Sequence, residues 1–201
     1  MELVVPVIGI LRGISGDFFR SLMPIAFASG LQAVEVTMNT ECALDIVFAN
    51  RPMVPQGKFL GMGTIRNLEE AKLAVGAGAM FLVTPNLDYE VVAYANAEKV
   101  PIIVGALTPT EVYSARRAGA DMVKVFPCNA MGGVAYIRSL LGPFDDLPLV
   151  AVGGVSRENL GEYLAAGARG VGVGSALFGS ESLREERTDR LAENIRTFLG
   201  S

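Results

Sequence analysis

The 201-residue sequence predicts an α/β chain folded as a single compact (β/α)8 TIM barrel over residues 1–201, and three observations carry that expectation. The first is a glycine turn that recurs as Ser29-Gly30-Leu31, Ala77-Gly78-Ala79, Ala118-Gly119-Ala120 and Ala166-Gly167-Ala168. Each copy ends a helix-like stretch and opens a strand-like one, where a glycine takes the left-handed conformation that turns the chain back. These glycines lie 48, 41 and 48 residues apart, roughly two βα units per interval. The second observation is that eight short apolar runs alternate with eight amphipathic stretches. The third is that the runs are apolar at nearly every position, as strands buried on both faces by helices must be. About 200 residues suffice for a compact barrel. An open doubly wound sheet is the alternative, and eight regular units favour closure.

The expected strands are residues 4–11, 33–37, 59–63, 80–84, 101–105, 122–126, 147–152 and 170–174. Each is short, apolar and rich in β-branched residues, with turn residues at its ends. The expected helices are 17–29, 42–49, 67–75, 89–98, 109–118, 133–141, 157–166 and 187–199. Asp17, Thr108 before Pro109, and Ser156 before Arg157-Glu158 are suited to begin helices. The charges between Arg184 and Arg190 read as a solvated face.

Composition removes several function classes. A net charge of −4 gives a nucleic-acid partner no electrostatic support. No apolar run reaches the roughly 18 residues of a membrane span, and Met1 to Pro6 lack the positive start of a secretory signal. A cytoplasmic protein without a membrane partner is expected. Cys42 and Cys128 have no metal-like spacing and read as reduced thiols. Histidine is absent, which removes His-based triads, His-ligated zinc and His general bases together. Neither a metal nor a cofactor is expected, and catalysis must rest on Lys, carboxylates, Tyr, Thr or backbone.

The run Asp121-Met122-Val123-Lys124-Val125-Phe126-Pro127 holds a lysine inside an apolar strand. Side chains alternate along a strand, so Met122, Lys124 and Phe126 share one face. Burial lowers a lysine's pKa, and the neutral amine is a nucleophile towards carbonyls. In Ala33-Val34-Glu35-Val36-Thr37 the carboxylate likewise alternates with valines, so Ala33, Glu35 and Thr37 are expected to face the barrel interior. Glu35 and Lys124 form either a buried ion pair or an amine nucleophile with a carboxyl acid/base partner. In a barrel, functional groups gather at the C-terminal ends of the strands. Arg12, Thr64, Pro85, Gly153, Gly154, Gly174 and Ser175 all fall there. Glycines ending strands 7 and 8 let backbone N–H groups approach an anion, although they also suit simple tight turns. Arg12 reads as an anion ligand or as a surface arginine.

These residues resemble the 2-keto-3-deoxy-6-phosphogluconate / 4-hydroxy-2-oxoglutarate aldolase family. The likeness runs through Pro6-Val7-Ile8, Leu11-Arg12, Val34-Glu35-Val36-Thr37-Met38-Asn39-Thr40, Gly63-Thr64, Thr84-Pro85, Thr108-Pro109-Thr110-Glu111, Lys124-Val125-Phe126-Pro127 and Gly153-Gly154-Val155. The resemblance implies a class I aldolase that cleaves a phosphorylated keto acid to pyruvate and glyceraldehyde 3-phosphate, as a homotrimer without a metal. It implies Lys124 as Schiff-base lysine and Glu35 as proton shuttle. Thr64, Pro85 and Phe126 would line the pyruvate pocket, and Arg12 would assist the carboxylate. Gly153, Gly154, Gly174 and Ser175 would cradle phosphate. Asn39 replaces the arginine of the gluconate-type pattern, and Val152 replaces its threonine. Both look like the 2-keto-3-deoxy-6-phosphogalactonate branch, whose substrate differs at C4, so Val152 joins the expected substrate contacts and the C4 configuration stays open. Two other readings fit the residues alone: a phosphate-binding epimerase or isomerase using Glu35 and Lys124 for proton transfer, and a non-catalytic sugar-phosphate-binding barrel.

Overall fold

The computed structural model describes residues 4–200; residues 1–3 and 201, the ends of the expected domain span, lie outside the described residues. The strands are β1 (Val7–Leu11), β2 (Ala33–Thr37), β3 (Phe59–Gly63), β4 (Leu82–Val83), β5 (Ile102–Ala106), β6 (Met122–Val125), β7 (Leu149–Val152) and β8 (Gly170–Val173). They pair in chain order as a closed parallel barrel, with β8 completing the ring beside β1. Around them run α1 (Gly16–Ala28), α2 (Ala43–Asn50), α3 (Leu68–Gly76), α4 (Tyr89–Ala97), α5 (Pro109–Ala118), α6 (Val134–Leu141) and α7 (Arg157–Ala165). Beyond β8 come two short helices, α8 (Ser175–Phe178) and α9 (Ser180–Arg184), and then α10 (Leu191–Leu199). The expected (β/α)8 barrel is therefore present. No helix among the described residues is long and apolar enough to cross a membrane.

Several boundaries differ from expectation for local reasons. β1 opens at Val7, not residue 4, because Pro6 has no N–H to enter the ladder. β4 is regular only over Leu82–Val83, although Met80 and Thr84 still donate to the Leu60 and Ile103 carbonyls. α1 is capped by Ser15, whose hydroxyl accepts the Phe18 N–H, while Asp17 sits within the first turn. Thr108 does cap α5, in a reciprocal arrangement with Glu111. The last helix starts at Leu191, not 187: Arg187 folds onto Asp189 at 2.9 Å, and the Leu191 N–H turns back to the Thr188 carbonyl.

Alternation sorts the strand side chains into two cores. Val34, Val36, Leu60, Met62, Val104, Val123, Val125, Leu149 and Ala151 face outward and pack beneath the helices. Ile8, Ala33, Phe81, Val83, Ile103, Met122, Val150 and Val152 face inward and fill the barrel, with Ile10 and Phe59 packed against them. Glycines fit this interior to its bulkiest member. A Cβ at Gly61 would come within 2.6 Å of three atoms of the Phe81 ring, which is fully buried and has nowhere to move. We therefore expect Gly61→Ala to overpack the barrel and destabilise it by about 1–3 kcal/mol. Urea unfolding checks this, and wild-type stability in the variant contradicts the packing described.

Candidate active site

The C-terminal ends of the strands surround an open pocket of about 600 Å³, within the usual range for a small-molecule site. Every residue expected there lines it: Arg12, Glu35, Thr64, Pro85, Lys124, Phe126, Val152, Gly153, Gly154, Gly174 and Ser175. Thr37 is different. It is fully buried, with its hydroxyl 3.0 Å from that of Thr40, which accepts the Gly13 N–H. The end of β2 thereby ties down the loop that carries Arg12. Asn39 is exposed and is not among the lining residues. Neither cysteine is paired; Cys42 is exposed and Cys128 buried.

Glu35 and Lys124 stand on β2 and β6, and each is over nine-tenths buried. Glu35 projects over β3 because Gly63 has no side chain: a Cβ there would overlap the carboxyl group. Burial pushes the Glu35 pKa up to about 7, against the opposing charges of Lys124 and Arg12. Burial also holds Lys124 below the usual lysine value; Arg12 adds to this and Glu35 opposes it. No ion pair within 4.0 Å joins Lys124 to a carboxylate among the described residues. The Phe126 ring centroid lies 5.1 Å from the Lys124 Nζ, close enough to shield it. β6 ends at Val125, so Phe126 was expected within the strand but sits at its mouth, 42% exposed.

Neighbouring strand ends set the remaining wall. The Arg12 guanidinium donates to the Thr64 hydroxyl at 3.4 Å. Thr64 has φ 60°, a left-handed backbone that a β-branched residue rarely takes, and such strain concentrates at working sites. Thr84 accepts the Gly105 N–H and donates to the Asn86 carbonyl, which folds Pro85 across β5. A Cβ at Gly105 would collide with that Pro85 backbone. Opposite lie Gly153, Gly154, Gly174 and Ser175, a backbone-rich wall suited to an anion. The sequence marked Gly63 only through its Gly63-Thr64 motif and gave no sign of Gly105; the value of both depends on what crosses them from a neighbouring strand. It was silent on Leu183, which α9 brings to the pocket rim; no periodic signal marks so short a helix.

A desolvated amine beside an acid that titrates near neutrality can attack a carbonyl and move protons. A family model described as KDPG and KHG aldolase matches residues 3–194. The chain belongs to that family. The Escherichia coli (strain K12) 2-dehydro-3-deoxy-6-phosphogalactonate aldolase is 31% identical over 194 residues, covering 96% of this chain and 94% of its own. The Treponema pallidum 2-dehydro-3-deoxy-phosphogluconate aldolase is 34% identical over 165 residues, covering 81% and 75%. The KDPG aldolase structure from Legionella pneumophila superposes with a TM-score of 0.89 at 25% identity, covering 96% of this chain and 94% of that one. That crystal holds pyruvate captured at low pH as a covalent carbinolamine.

Because the Lys124 charge holds the Glu35 pKa down, removing it should let burial act with less opposition. In the wild type we expect one glutamate carboxyl to titrate near pH 7 by carbon-detected NMR. In Lys124→Met the same resonance should move to a higher midpoint; a downward shift reverses the sign and rejects the coupling.

Proposed function

We propose that this protein is a class I aldolase that cleaves a 2-keto-3-deoxy-6-phospho-sugar acid of the phosphogluconate or phosphogalactonate type. The products are pyruvate and D-glyceraldehyde 3-phosphate. One observation carries the reading: a closed barrel holds a single amine and a carboxyl out of water at the floor of an open pocket with an anion-suited rim. Family membership and the carbinolamine in the Legionella relative support it.

In this mechanism the neutral Lys124 Nζ attacks the C2 ketone. The carbinolamine loses water to give an iminium ion, which draws electrons from the C3–C4 bond as that bond breaks. Glu35, acting through water, takes the C4 hydroxyl proton and later protonates C3 of the enamine. Hydrolysis frees pyruvate and restores the amine. A pKa near 7 suits a group that must both accept and return a proton. Arg12 assists the substrate carboxylate. Thr64, Pro85 and Phe126 wall the pyruvate end, and Val152 lies near C4. Gly153, Gly154, Gly174 and Ser175 hold the phosphate, so binding energy at the remote end orients the reacting bond.

The chain works as one domain in the cytoplasm and assembles as a homotrimer. Exposed Phe48 and Met53, beside an apolar groove that includes Ala49 and Pro52, support self-association.

Incubation with pyruvate and borohydride should add one reduced adduct, located on Lys124 by mass spectrometry. Lys124→Ala should give none and no cleavage. Glu35→Gln should still trap pyruvate while cleavage falls about 10²–10⁴-fold, the usual contribution of a general acid–base. Side-by-side assays with the gluconate- and galactonate-configured substrates should release pyruvate from at least one. Failure with both, or an adduct elsewhere, rejects the aldolase reading; proton exchange at a sugar carbon without an adduct favours an epimerase.

A further inference from the structure

The loop after β7 carries two consecutive glycines in the left-handed region, Gly153 at φ 100° and Gly154 at φ 72°. Glycine pairs of this kind move readily, because no Cβ restricts them. Among the described residues, the backbone N–H groups of Gly153, Gly154 and Val155 donate no hydrogen bond. All three residues line the pocket. Such a loop serves an anion only if its N–H groups, and not its carbonyls, face the ligand. Something must therefore fix the peptide planes.

Asn159, in the first turn of α7, is placed to do this. Its Nδ2 donates to the Gly154 carbonyl at 2.9 Å, while its Oδ1 accepts the Ser156 N–H at 2.8 Å. The reverse amide orientation would set oxygen against oxygen and N–H against N–H, so the two bonds fix which way the side chain points. The Gly154–Val155 peptide is trans, and in a trans peptide the N–H points opposite to the carbonyl. Drawing the Gly154 carbonyl onto α7 therefore turns the Val155 N–H away from α7. On the other side of the loop, a Cβ at Gly154 would fall 2.5 Å from the Asn129 Cβ, so Asn129 leaves little room for the loop to rotate.

We infer that Asn159 is a positioning residue for the substrate's phosphoryl group: it holds the Gly154–Val155 peptide with its N–H, not a carbonyl, toward the pocket. The inference rests on the glycine wall being the phosphate grip proposed above. Capping α7 does not account for it. The Ser156 bond alone completes the cap, and a carboxylate would serve equally well there. The bond to the Gly154 carbonyl requires a donor, which a carboxylate lacks.

That difference supplies the test. Inorganic phosphate is titrated calorimetrically into the wild type, Asn159→Ala and Asn159→Asp, and KM and kcat are measured with the phosphorylated keto acid. Both variants should bind phosphate about fivefold or more weakly, the scale of one lost hydrogen bond, and KM should rise with kcat little changed. Asp restores the acceptor for Ser156, so its Tm should lie above that of Ala while its phosphate affinity does not recover. Wild-type phosphate affinity in either variant, or a fall in kcat with KM unchanged, overturns the proposal. A wild type that binds no phosphate overturns it too. A wild type that binds phosphate but does not trap pyruvate removes the aldolase reading and leaves the role of Asn159 standing.

Discussion

Desolvation of two opposite charges inside one small barrel is the constraint on which the site depends. Burial is the largest influence on both Glu35 and Lys124, and in each case it outweighs the attraction of the other. Two unit charges in contact near a protein surface gain about 4 kcal/mol at an effective dielectric of 20, and less as they separate. With no ion pair within 4.0 Å, that gain is too small to keep both groups fully ionised against the loss of water. A tight salt bridge would have fixed the proton on the amine. The observed spacing leaves the amine free to react and the carboxyl free to exchange a proton.

Space for that arrangement comes from the way the barrel is filled. Ile8, Phe81, Ile103, Met122 and Val150 occupy the interior as a packed core. Toward the C-terminal end glycines take over: Gly63 beneath Glu35, Gly105 beneath the Pro85 backbone, and Gly172 facing Val152 and Ile10. The same alternation that packs one end thus hollows the other. Strands of two to five residues leave few layers to share between stability and function, so single glycines decide where the core stops and the pocket begins.

This division explains what the sequence made legible. The lysine in Met122-Val123-Lys124-Val125 could be placed inside the barrel because its neighbours are apolar and the strand period is two. Glu35 followed by the same reasoning, and the repeated glycine turns gave the register of the βα units. Thr37 shares the phase of Glu35, yet a hydroxyl can satisfy itself locally, and it bonds Thr40 and does not line the pocket. Asp17 and Ser15 are both acceptable caps by type; only the backbone at Ser15 decides between them. Gly63 and Asn159 act on atoms contributed by other segments, Glu35 in one case and the Gly154 carbonyl in the other. No local pattern encodes such pairings, so they became visible only once the strands were set side by side.

Arg12 explains why the two buried groups are not mirror images of one another. Burial acts on them in opposite directions, raising Glu35 and lowering Lys124, whereas a guanidinium charge lowers both. It therefore offsets part of the effect of burial on the acid and adds to the effect on the amine. The carboxyl is left near neutrality, while the amine has two influences favouring its neutral form against one opposing it. Arg12 stays in place because the Gly13 N–H is bound by Thr40 and its own tip donates to Thr64, whose strained backbone fixes the hydroxyl in reach. A cation at the rim, anchored by the ends of β2 and β3, thus sets the proton balance of two largely desolvated groups on the pocket floor.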